Sequence, residues 1–249
     1  MRAMSESADF LTPPQAHWPL PQAVPGAILH SSQFQPARLD ADAFVRHGVD
    51  LPANIGRAVA KRRAEFLAGR LCARASIGQL QTMAVAPGLA ADRSPIWPAG
   101  LCGSITHGDG WAAAVVAPRN QWQGLGLDVE SLLDDARATR LVEELLTPAE
   151  RERLDPALLG FTVTLTFSLK ESLFKALYPL VGKRFYFEHA ELLEWNDQGQ
   201  ARLRLLCDLS EQWRSGCELD AQFATLDERL LSLVAIPASC VIPANAGTQ

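Results

Sequence analysis

The stretch Gly124-Leu125-Gly126-Leu127-Asp128-Val129-Glu130 alternates apolar residues with small or acidic ones, and the fold can be reasoned outward from it. A period of two is typical of a half-buried β-strand, so Asp128 and Glu130 are predicted on one face of that strand. At the usual rise per residue they lie about 6.6 to 6.8 Å apart. Gly126 precedes them on the same face, and we expect it to leave room for a ligand to approach the backbone.

A second segment, Phe167-Ser168-Leu169-Lys170-Glu171-Ser172-Leu173-Phe174-Lys175, carries a third acid further along the chain. Glu171 and Lys175 are four residues apart and therefore share one face of a helix. Two acids from a strand and one from a helix form an oxygen cage suited to Mg²⁺, which takes carboxylate, water and phosphate oxygens. The pattern indicates metal-assisted transfer or cleavage at a phosphate, with Lys175 facing the same phosphate.

Each part also has a purely structural interpretation. An acidic pair at a strand end, such as Asp128 with Glu130, is commonly a solvated edge. Glu171 comes three residues after Ser168, which matches a capping box at a helix start. Glu171 and Lys175 also match a helix-surface ion pair, worth about 0.2–0.5 kcal/mol. The presence of both segments in this order favours the metal site.

Four blocks of the sequence resemble the signature blocks of one enzyme family. Upstream stand Arg62-Arg63-Ala64-Glu65-Phe66-Leu67-Ala68-Gly69-Arg70 and Pro95-Ile96-Trp97-Pro98-Ala99-Gly100-Leu101-Cys102-Gly103-Ser104-Ile105-Thr106-His107. Together with Gly126 to Glu130 and Phe167 to Lys175, they are similar to the 4′-phosphopantetheinyl transferases of the larger, Sfp-type class. The upstream blocks resemble the subgroup typified by the enterobactin-synthesis transferase.

The resemblance implies an α+β fold of two similar lobes with pseudo-two-fold symmetry, each a small, mainly antiparallel sheet packed against a long helix. We expect residues 1–123 to form an N-terminal lobe that contacts the coenzyme A phosphates. Residues 124–249 would form a C-terminal lobe with the metal-binding acids and the catalytic helix. The active site would lie between the lobes, and internal symmetry of this kind favours a monomer.

The resemblance also implies the activity, that of a holo-carrier-protein synthase. Such an enzyme moves the 4′-phosphopantetheine arm of coenzyme A onto a serine of an apo acyl carrier protein or peptidyl carrier domain and releases adenosine 3′,5′-bisphosphate. The expected metal is Mg²⁺, with Mn²⁺ as the alternative because both accept oxygen ligands. Siderophore, nonribosomal peptide and fatty acid biosynthesis all remain open as pathways.

The residue roles follow from the matching positions. Asp128, Glu130 and Glu171 would hold the metal ion. Glu171, or a water that it holds, would act as general base, and Lys175 would protonate the leaving group. The residues expected to bind coenzyme A are Arg63, Arg70, Arg93, Ser104, His107, Lys170 and Lys175.

A long helix is predicted from about Ile55 to Leu80, because apolar residues recur there at helical spacing. Arg63, Arg70 and Arg74 fall within about 20° of one another on its wheel. Arginines in line suit a multiply phosphorylated ligand, since each can contact phosphate oxygens bidentately. The alternative is a solvated basic face.

Three further expectations concern the remaining elements. Trp111 to Ala117 is predicted to form a hairpin with the strand that begins at Gly124. Phe161 to Phe167 favours a strand by propensity, but the family has helix here, and we follow the family because packing can override propensity. Four strands are predicted after the catalytic helix, at 185–195, 201–207, 217–225 and 230–236, and the Pro-rich residues 1–25 are predicted to be an extended or frayed lead-in.

Composition excludes several classes of protein. The net charge of −5 over 249 residues argues against a general nucleic-acid binder. Five cysteines without C-x-x-C spacing indicate neither a disulfide framework nor a zinc site. No window reaches the ~18 apolar residues of a membrane span, and the N-terminus lacks a secretion-signal pattern, so we expect no membrane insertion and a cytoplasmic location.

Two rival functions remain open. A non-catalytic carrier-protein or nucleotide-binding module could share the fold, although all three acids are present. A metal-dependent nuclease or phosphatase would use similar carboxylates but would be expected to have a strongly basic groove.

Overall fold

The computed structural model describes residues 9–239, which form two large antiparallel sheets, each packed against one long helix, and a third sheet of two short strands. The first half contains β1 (Gln15–Ala16), β2 (Ile28–Gln33), α1 (Ala43–Arg46), α2 (Ala53–Gly56), α3 (Ala60–Leu80), β3 (Gly88–Leu89), β4 (Pro95–Ile96), β5 (Leu101–Gly108) and β6 (Trp111–Pro118). The second half contains β7 (Trp122–Ser131), α4 (Asp135–Leu145), α5 (Pro148–Glu152), α6 (Leu159–Val181), β8 (Ala190–Trp195), β9 (Gln200–Leu205), β10 (Glu218–Leu226) and β11 (Arg229–Pro237). The predicted α+β class, with one long helix on each sheet, is confirmed.

The two sheets pack face to face, with a helix on each outer side. The first sheet has the order β1-β2-β6-β5 and carries α3, and the second has the order β7-β11-β10-β9-β8 and carries α6. Val115 on β6 and Leu127 on β7 belong to the apolar layer between the sheets. Because strand side chains alternate, Asp128 and Glu130 lie on the opposite face of β7, toward α6.

Gly126 allows α6 to lie directly on β7. A Cβ at this position would come within 1.7 Å of the Ser172 carbonyl oxygen, and one at Gly124 within 2.5 Å of the Ala176 carbonyl oxygen. The expectation that Gly126 leaves room for a ligand is therefore wrong, because the helix backbone occupies that space. The close approach brings Lys175 Nζ to 2.6 Å from Asp128 Oδ1.

Substituting Gly126 by alanine should test this contact. The added methyl group meets backbone rather than a flexible side chain, so we expect Gly126→Ala to lower the free energy of unfolding by about 3 kcal/mol or more. Chemical denaturation would measure the loss. Gly56→Ala is the matched control, since its nearest neighbour would be 3.7 Å away. Equal stability of the two variants would contradict the proposed packing.

The predicted hairpin between β6 and β7 is not formed. Within the described residues β6 pairs with β2 and β5, whereas β7 pairs with β11. Residues 119–121 carry the chain from one sheet to the other, so that the apolar faces of the two strands meet across the interior. Consecutive apolar strands separated by a turn therefore belong to different sheets here.

Side-chain hydroxyls join the two sheets at their adjoining edges. The Leu127 amide donates to Ser104 Oγ at 2.9 Å, and the Val129 amide donates to Thr106 Oγ1 at 3.0 Å. The edge strands β5 and β7 are thereby fixed side by side without a backbone ladder. This junction places the residues of β5 beside Asp128.

The helical interpretation of Phe161 to Phe167 is confirmed, because these residues lie inside α6. Thr164 and Thr166 donate their hydroxyl hydrogens to the carbonyls four residues earlier, which satisfies them inside the packed helix. The capping-box interpretation of Ser168 is wrong: the residue is in mid-helix and bonds Ser232 Oγ at 2.8 Å. α6 ends at Gly182, which has a left-handed φ of 63°.

Other boundaries differ modestly from expectation. The predicted helix from Ile55 is divided between α2 and α3, and four strands follow α6 as expected. In the lead-in, Phe10 and Leu20 are buried rather than frayed. Residues 1–8 and the tail from 240 onward lie outside the described residues.

One segment, Pro156–Val181, is long and apolar enough to cross a membrane by length and composition. It consists of α6 and the turn before it, and the leucines 165, 169, 173 and 177 along it are fully buried against the second sheet. Core packing accounts for its apolar character.

Candidate active site

A cleft of about 650 Å³ lies between α3 and β5 of the first half and β7 and α6 of the second. Its walls include seven of the sequence-predicted site residues: Arg70, Arg93, Ser104, His107, Asp128, Glu130 and Lys175. Three predicted residues, Arg63, Lys170 and Glu171, are not among the residues that line it. Residues from all four blocks thus meet at the junction of the two halves.

Basic side chains outnumber acidic ones in the cleft by six to four, although the chain as a whole carries a charge of −5. The acidic lining residues are Glu65, Asp92, Asp128 and Glu130. The basic lining residues are Arg62, Arg70, Arg93, Arg119, Lys175 and Arg184. Such a concentration of positive charge inside a concave surface attracts polyanionic ligands. A phosphate-rich molecule is therefore the ligand that the electrostatics favour.

Arg62, rather than the predicted Arg63, reaches into this cleft. Arg62 Nη1 lies 2.7 Å from His107 Nε2, whereas Arg63 Nε is buried and bonds nothing in the described part of the chain. Alignment on the helical wheel favoured Arg63. The contact with His107 joins residues distant in sequence, and no local pattern could have indicated it.

Arg70 is held as a desolvated cation on the cleft wall. It is only 5% exposed, its guanidinium carbon lies 4.5 Å from the Phe66 ring centroid, and its Nη2 donates to the Gly88 carbonyl at 3.2 Å. Burial, and then the charge of Arg62, lowers the pKa of Arg70 to about 10. An incoming phosphate would relieve both effects.

The side chains of Ser104 and Arg74 already form hydrogen bonds with the protein backbone. The Ser104 hydroxyl lines the cleft but already accepts the Leu127 amide. Arg74, which shares the wheel face of Arg70, donates to the His47 carbonyl and lies outside the cleft. Of the three aligned arginines, only Arg70 faces the cleft.

Arg93 lies on the connection between β3 and β4, at the mouth of the cleft. Its backbone has a φ of 74°, so the chain turns sharply there. The preceding Asp92 accepts a 3.0 Å hydrogen bond from the Tyr178 hydroxyl of α6. This bond links the two halves across the opening.

The three predicted metal ligands influence one another electrostatically. Asp128 is 4% exposed, and its Oδ2 is buried with no hydrogen-bond partner among residues 9–239. Burial, and then the charge of Asp128, raises the pKa of Glu130 to about 7. Burial also raises the pKa of Glu171, opposed by Lys175 and reinforced by Asp128.

The donor chemistry of this acidic group fits a hard divalent cation. Within the described residues, no three His, Cys, Asp or Glu side chains are arranged closely enough to form a metal site. The unpartnered Asp128 oxygen and the mutual repulsion of the carboxylates are nevertheless the features that a bound cation would satisfy. Lys175 now neutralises Asp128 in part.

Lys170 occupies a different place from the one expected. It is 3% exposed, and its Nζ donates to Glu150 Oε2 at 2.7 Å and to the carbonyls of Leu145 and Phe187, each at 2.9 Å. Helical geometry explains this position, because the neighbour of Glu171 must point to another side of α6. Lys170 ties α6 to the elements around it and does not reach the cleft.

Comparison with known proteins agrees with this arrangement. Residues 51–117 match the 4′-phosphopantetheinyl transferase N-terminal domain, and residues 124–233 match the 4′-phosphopantetheinyl transferase superfamily. Enterobactin synthase component D of Escherichia coli O157:H7 is 36% identical over 186 residues, which cover 73% of this chain and 84% of that protein. Its Salmonella typhimurium counterpart is 37% identical over 169 residues, 65% of this chain and 66% of that protein.

A more distant similarity links the chain to a solved structure. The holo-(acyl-carrier-protein) synthase of Bacillus anthracis, in complex with CoA (3′,5′-ADP), aligns with 48% of this chain and 99% of its own at 23% identity and a TM-score of 0.36. The two domain matches, and the identity over most of the length of the Escherichia coli protein, establish the family. The chain belongs to the 4′-phosphopantetheinyl transferases, a family of enzymes.

Proposed function

We propose that this chain transfers the 4′-phosphopantetheine arm of coenzyme A to a serine of an apo acyl carrier protein or peptidyl carrier domain, in a Mg²⁺-dependent reaction that releases adenosine 3′,5′-bisphosphate. The observation that carries the proposal is the cleft itself, where arginines from α3 face Asp128, Glu130 and Lys175. Such a site combines anion binding with carboxylate ligands, as phosphoryl transfer requires.

In the proposed mechanism the side chains divide into two groups. Arg62, Arg70 and His107 would bind coenzyme A phosphates, while Lys175 would face the pyrophosphate. Asp128, Glu130 and Glu171 would hold Mg²⁺, which supplies Lewis-acid stabilisation of the phosphate charge when bound. Glu171, a half-buried carboxylate whose pKa is raised by partial burial, would take the proton of the attacking serine, directly or through water.

The organisation of the chain around this site is also proposed. Residues 1–123 would supply the coenzyme A contacts and residues 124–249 the acids, which puts the reaction at the boundary between them. Arg184 is exposed and lines the cleft. Together with Lys183 it would provide a basic landing surface for an acidic carrier, with charge acting mainly on the association rate.

A direct assay tests the proposal. Purified protein would be incubated with coenzyme A, Mg²⁺ and a panel of apo-carriers, and carrier mass would be followed. The expected result is a mass gain of one phosphopantetheine on at least one carrier, abolished by a chelator or by alanine at the acceptor serine. If coenzyme A binds but no carrier gains mass, the non-catalytic alternative is favoured.

Arg62 and Arg63 form a matched pair for testing the binding site. Arg62→Ala should raise the KM for coenzyme A about tenfold or more, because a charged hydrogen bond to phosphate is worth about 1.5–3 kcal/mol. Arg63→Ala should leave KM within about twofold, since the side chain does not line the cleft. Steady-state kinetics would measure both KM values. A larger increase in KM for Arg63→Ala than for Arg62→Ala would indicate that Arg63 is the phosphate ligand.

A further inference from the structure

Glu65 is one of four acids that line the cleft, and it is the one that stands among the phosphate-binding candidates. The residue is 9% exposed and lines the cleft beside Arg62, Arg70 and His107. A carboxylate at this place opposes phosphate binding by direct repulsion. We therefore expect Glu65 to make a favourable contribution to ligand binding that is larger than this repulsion.

The carboxylate contacts two of the phosphate-binding candidates. Glu65 Oε2 lies 3.6 Å from Arg62 Nη1 and 3.7 Å from His107 Nδ1. Arg62 Nη1 in turn lies 2.7 Å from His107 Nε2. The three side chains form a closed cluster, called here the Glu65 cluster, in which the acid faces both the guanidinium and the imidazole ring.

The geometry fixes where the imidazole proton lies. A guanidinium can only donate, so His107 Nε2 must accept from Arg62 and be unprotonated. The single ring proton of neutral His107 is then on Nδ1, the nitrogen that faces Glu65. Burial, followed by the charge of Arg62, lowers the pKa of His107 to about 4, which agrees with a neutral ring.

A phosphate would change the balance of charge around this ring. The charged groups that face the cleft around His107 are Arg62, Glu65 and Arg70 from α3, Lys175 from α6, and Asp128 and Glu130 from β7. A phosphate oxygen that takes the hydrogen bond of Arg62 leaves His107 Nε2 without its donor. Nε2 could then form a hydrogen bond to a fully deprotonated phosphate oxygen only by carrying a proton itself.

We propose that Glu65 is a positioning residue: it holds Arg62 and His107 in place and, when a coenzyme A phosphate binds, allows His107 Nε2 to take up a proton from solvent. The Nε2 lone pair forms the new N–H bond, and that N–H then donates to the phosphate oxygen. The charge of Glu65, whose Oε2 lies 3.7 Å from Nδ1, stabilises the resulting imidazolium. The inference rests on the proposed function only in that the ligand is coenzyme A.

The variant Glu65→Gln distinguishes a carboxylate that supports the His107 imidazolium from one that only repels phosphate. Glutamine keeps the size of the side chain and its ability to accept a hydrogen bond, but removes the charge. If Glu65 only repelled phosphate, the variant would bind coenzyme A more tightly. If Glu65 supports the imidazolium, the variant binds more weakly at mildly acidic pH and takes up fewer protons.

The experiment is isothermal titration calorimetry of the metal-free protein with coenzyme A at about pH 5.5, a value below the ordinary His pKa of about 6.5. Repeating the titration in buffers of different ionisation enthalpy counts the protons exchanged. The phosphate monoester of coenzyme A has a second pKa of about 6 and can release a proton of its own on binding. The contribution of His107 is therefore the uptake of the unmodified protein beyond that of His107→Gln, and we expect this difference to be about one proton per coenzyme A. On the same measure, Glu65→Gln should take up less than about half a proton and bind about tenfold more weakly, as one unit of pKa would give.

Two further variants complete the test. His107→Gln gives the baseline of proton exchange without the imidazole, and adding Glu65→Gln to it should change neither this baseline nor the affinity. Glu144→Gln, an exposed acid on α4, should behave as the unmodified protein does. Thermal melting confirms that each variant is folded before titration.

The outcomes distinguish this inference from the proposed function. Absence of coenzyme A binding by the unmodified protein would overturn both. Normal binding with no more proton uptake than His107→Gln shows, or tighter binding by Glu65→Gln, would overturn the inference while leaving the proposed transferase activity standing.

Discussion

Asp128→Asn is expected to lower the rate of carrier modification by at least about a hundredfold, because the variant removes the buried charge on which the proposed metal site depends. The Asp128 Oδ2 atom has no hydrogen-bond partner in the described chain, and its Oδ1 holds Lys175. Asparagine fills the same volume, so the fold should persist. Single-turnover measurement of carrier mass at saturating coenzyme A would give the rate.

Asp220→Asn provides the control for this prediction. Asp220 lies on β10 of the same sheet, and its side chain is 90% exposed beside Arg202. Its loss should change the rate by less than about twofold. A normal rate for Asp128→Asn, in protein with an unaltered melting temperature, would remove Asp128 from the catalytic group.

Lys170→Met is expected to destabilise the protein by about 3–5 kcal/mol, because it leaves the Glu150 carboxylate buried without its counter-charge. The Leu145 and Phe187 carbonyls would lose their donor as well. For a chain of this size the loss corresponds to a fall in Tm of about 10 °C or more. Differential scanning calorimetry would measure it.

Two comparisons sharpen the Lys170 experiment. Lys183→Met, an exposed lysine just beyond α6, should change stability by no more than about 0.5 kcal/mol. Combining Lys170→Met with Glu150→Gln should recover part of the loss, because it removes both charges and keeps an acceptor for the Thr147 or the Leu192 amide. If Lys170→Met left stability unchanged and raised the KM for coenzyme A, the result would indicate that Lys170 binds the pyrophosphate.

The alternation in β7 allowed much of the site to be predicted. It placed Asp128 and Glu130 on one face, and the four-residue spacing placed Glu171 and Lys175 on one face of α6. These are local periodicities, which survive whatever packs against them. The cleft lining includes Asp128, Glu130 and Lys175 but not Glu171. The resemblance to the family then predicted features that periodicity alone did not, including the helical state of residues 161–167.

The errors share a different cause, since they depended on long-range packing. Gly126 looked like space for a ligand because the sequence does not show that α6 occupies it. Lys170 looked like a cleft cation because its partner, Glu150, belongs to another helix. Arg62 was missed for the same reason, since its contact with His107 joins α3 to β5.

The junction between β5 and β7 affects the tendency of the protein to self-associate. Each of these strands is the outermost member of its sheet, and an exposed outermost strand is a template on which a foreign chain can add itself. Here the two edge strands lie against each other. The hydroxyls of Ser104 and Thr106 accept hydrogen bonds from β7 amides that an added strand would otherwise bind. Removing those hydroxyls should therefore promote self-association of the protein on storage, even where catalysis survives.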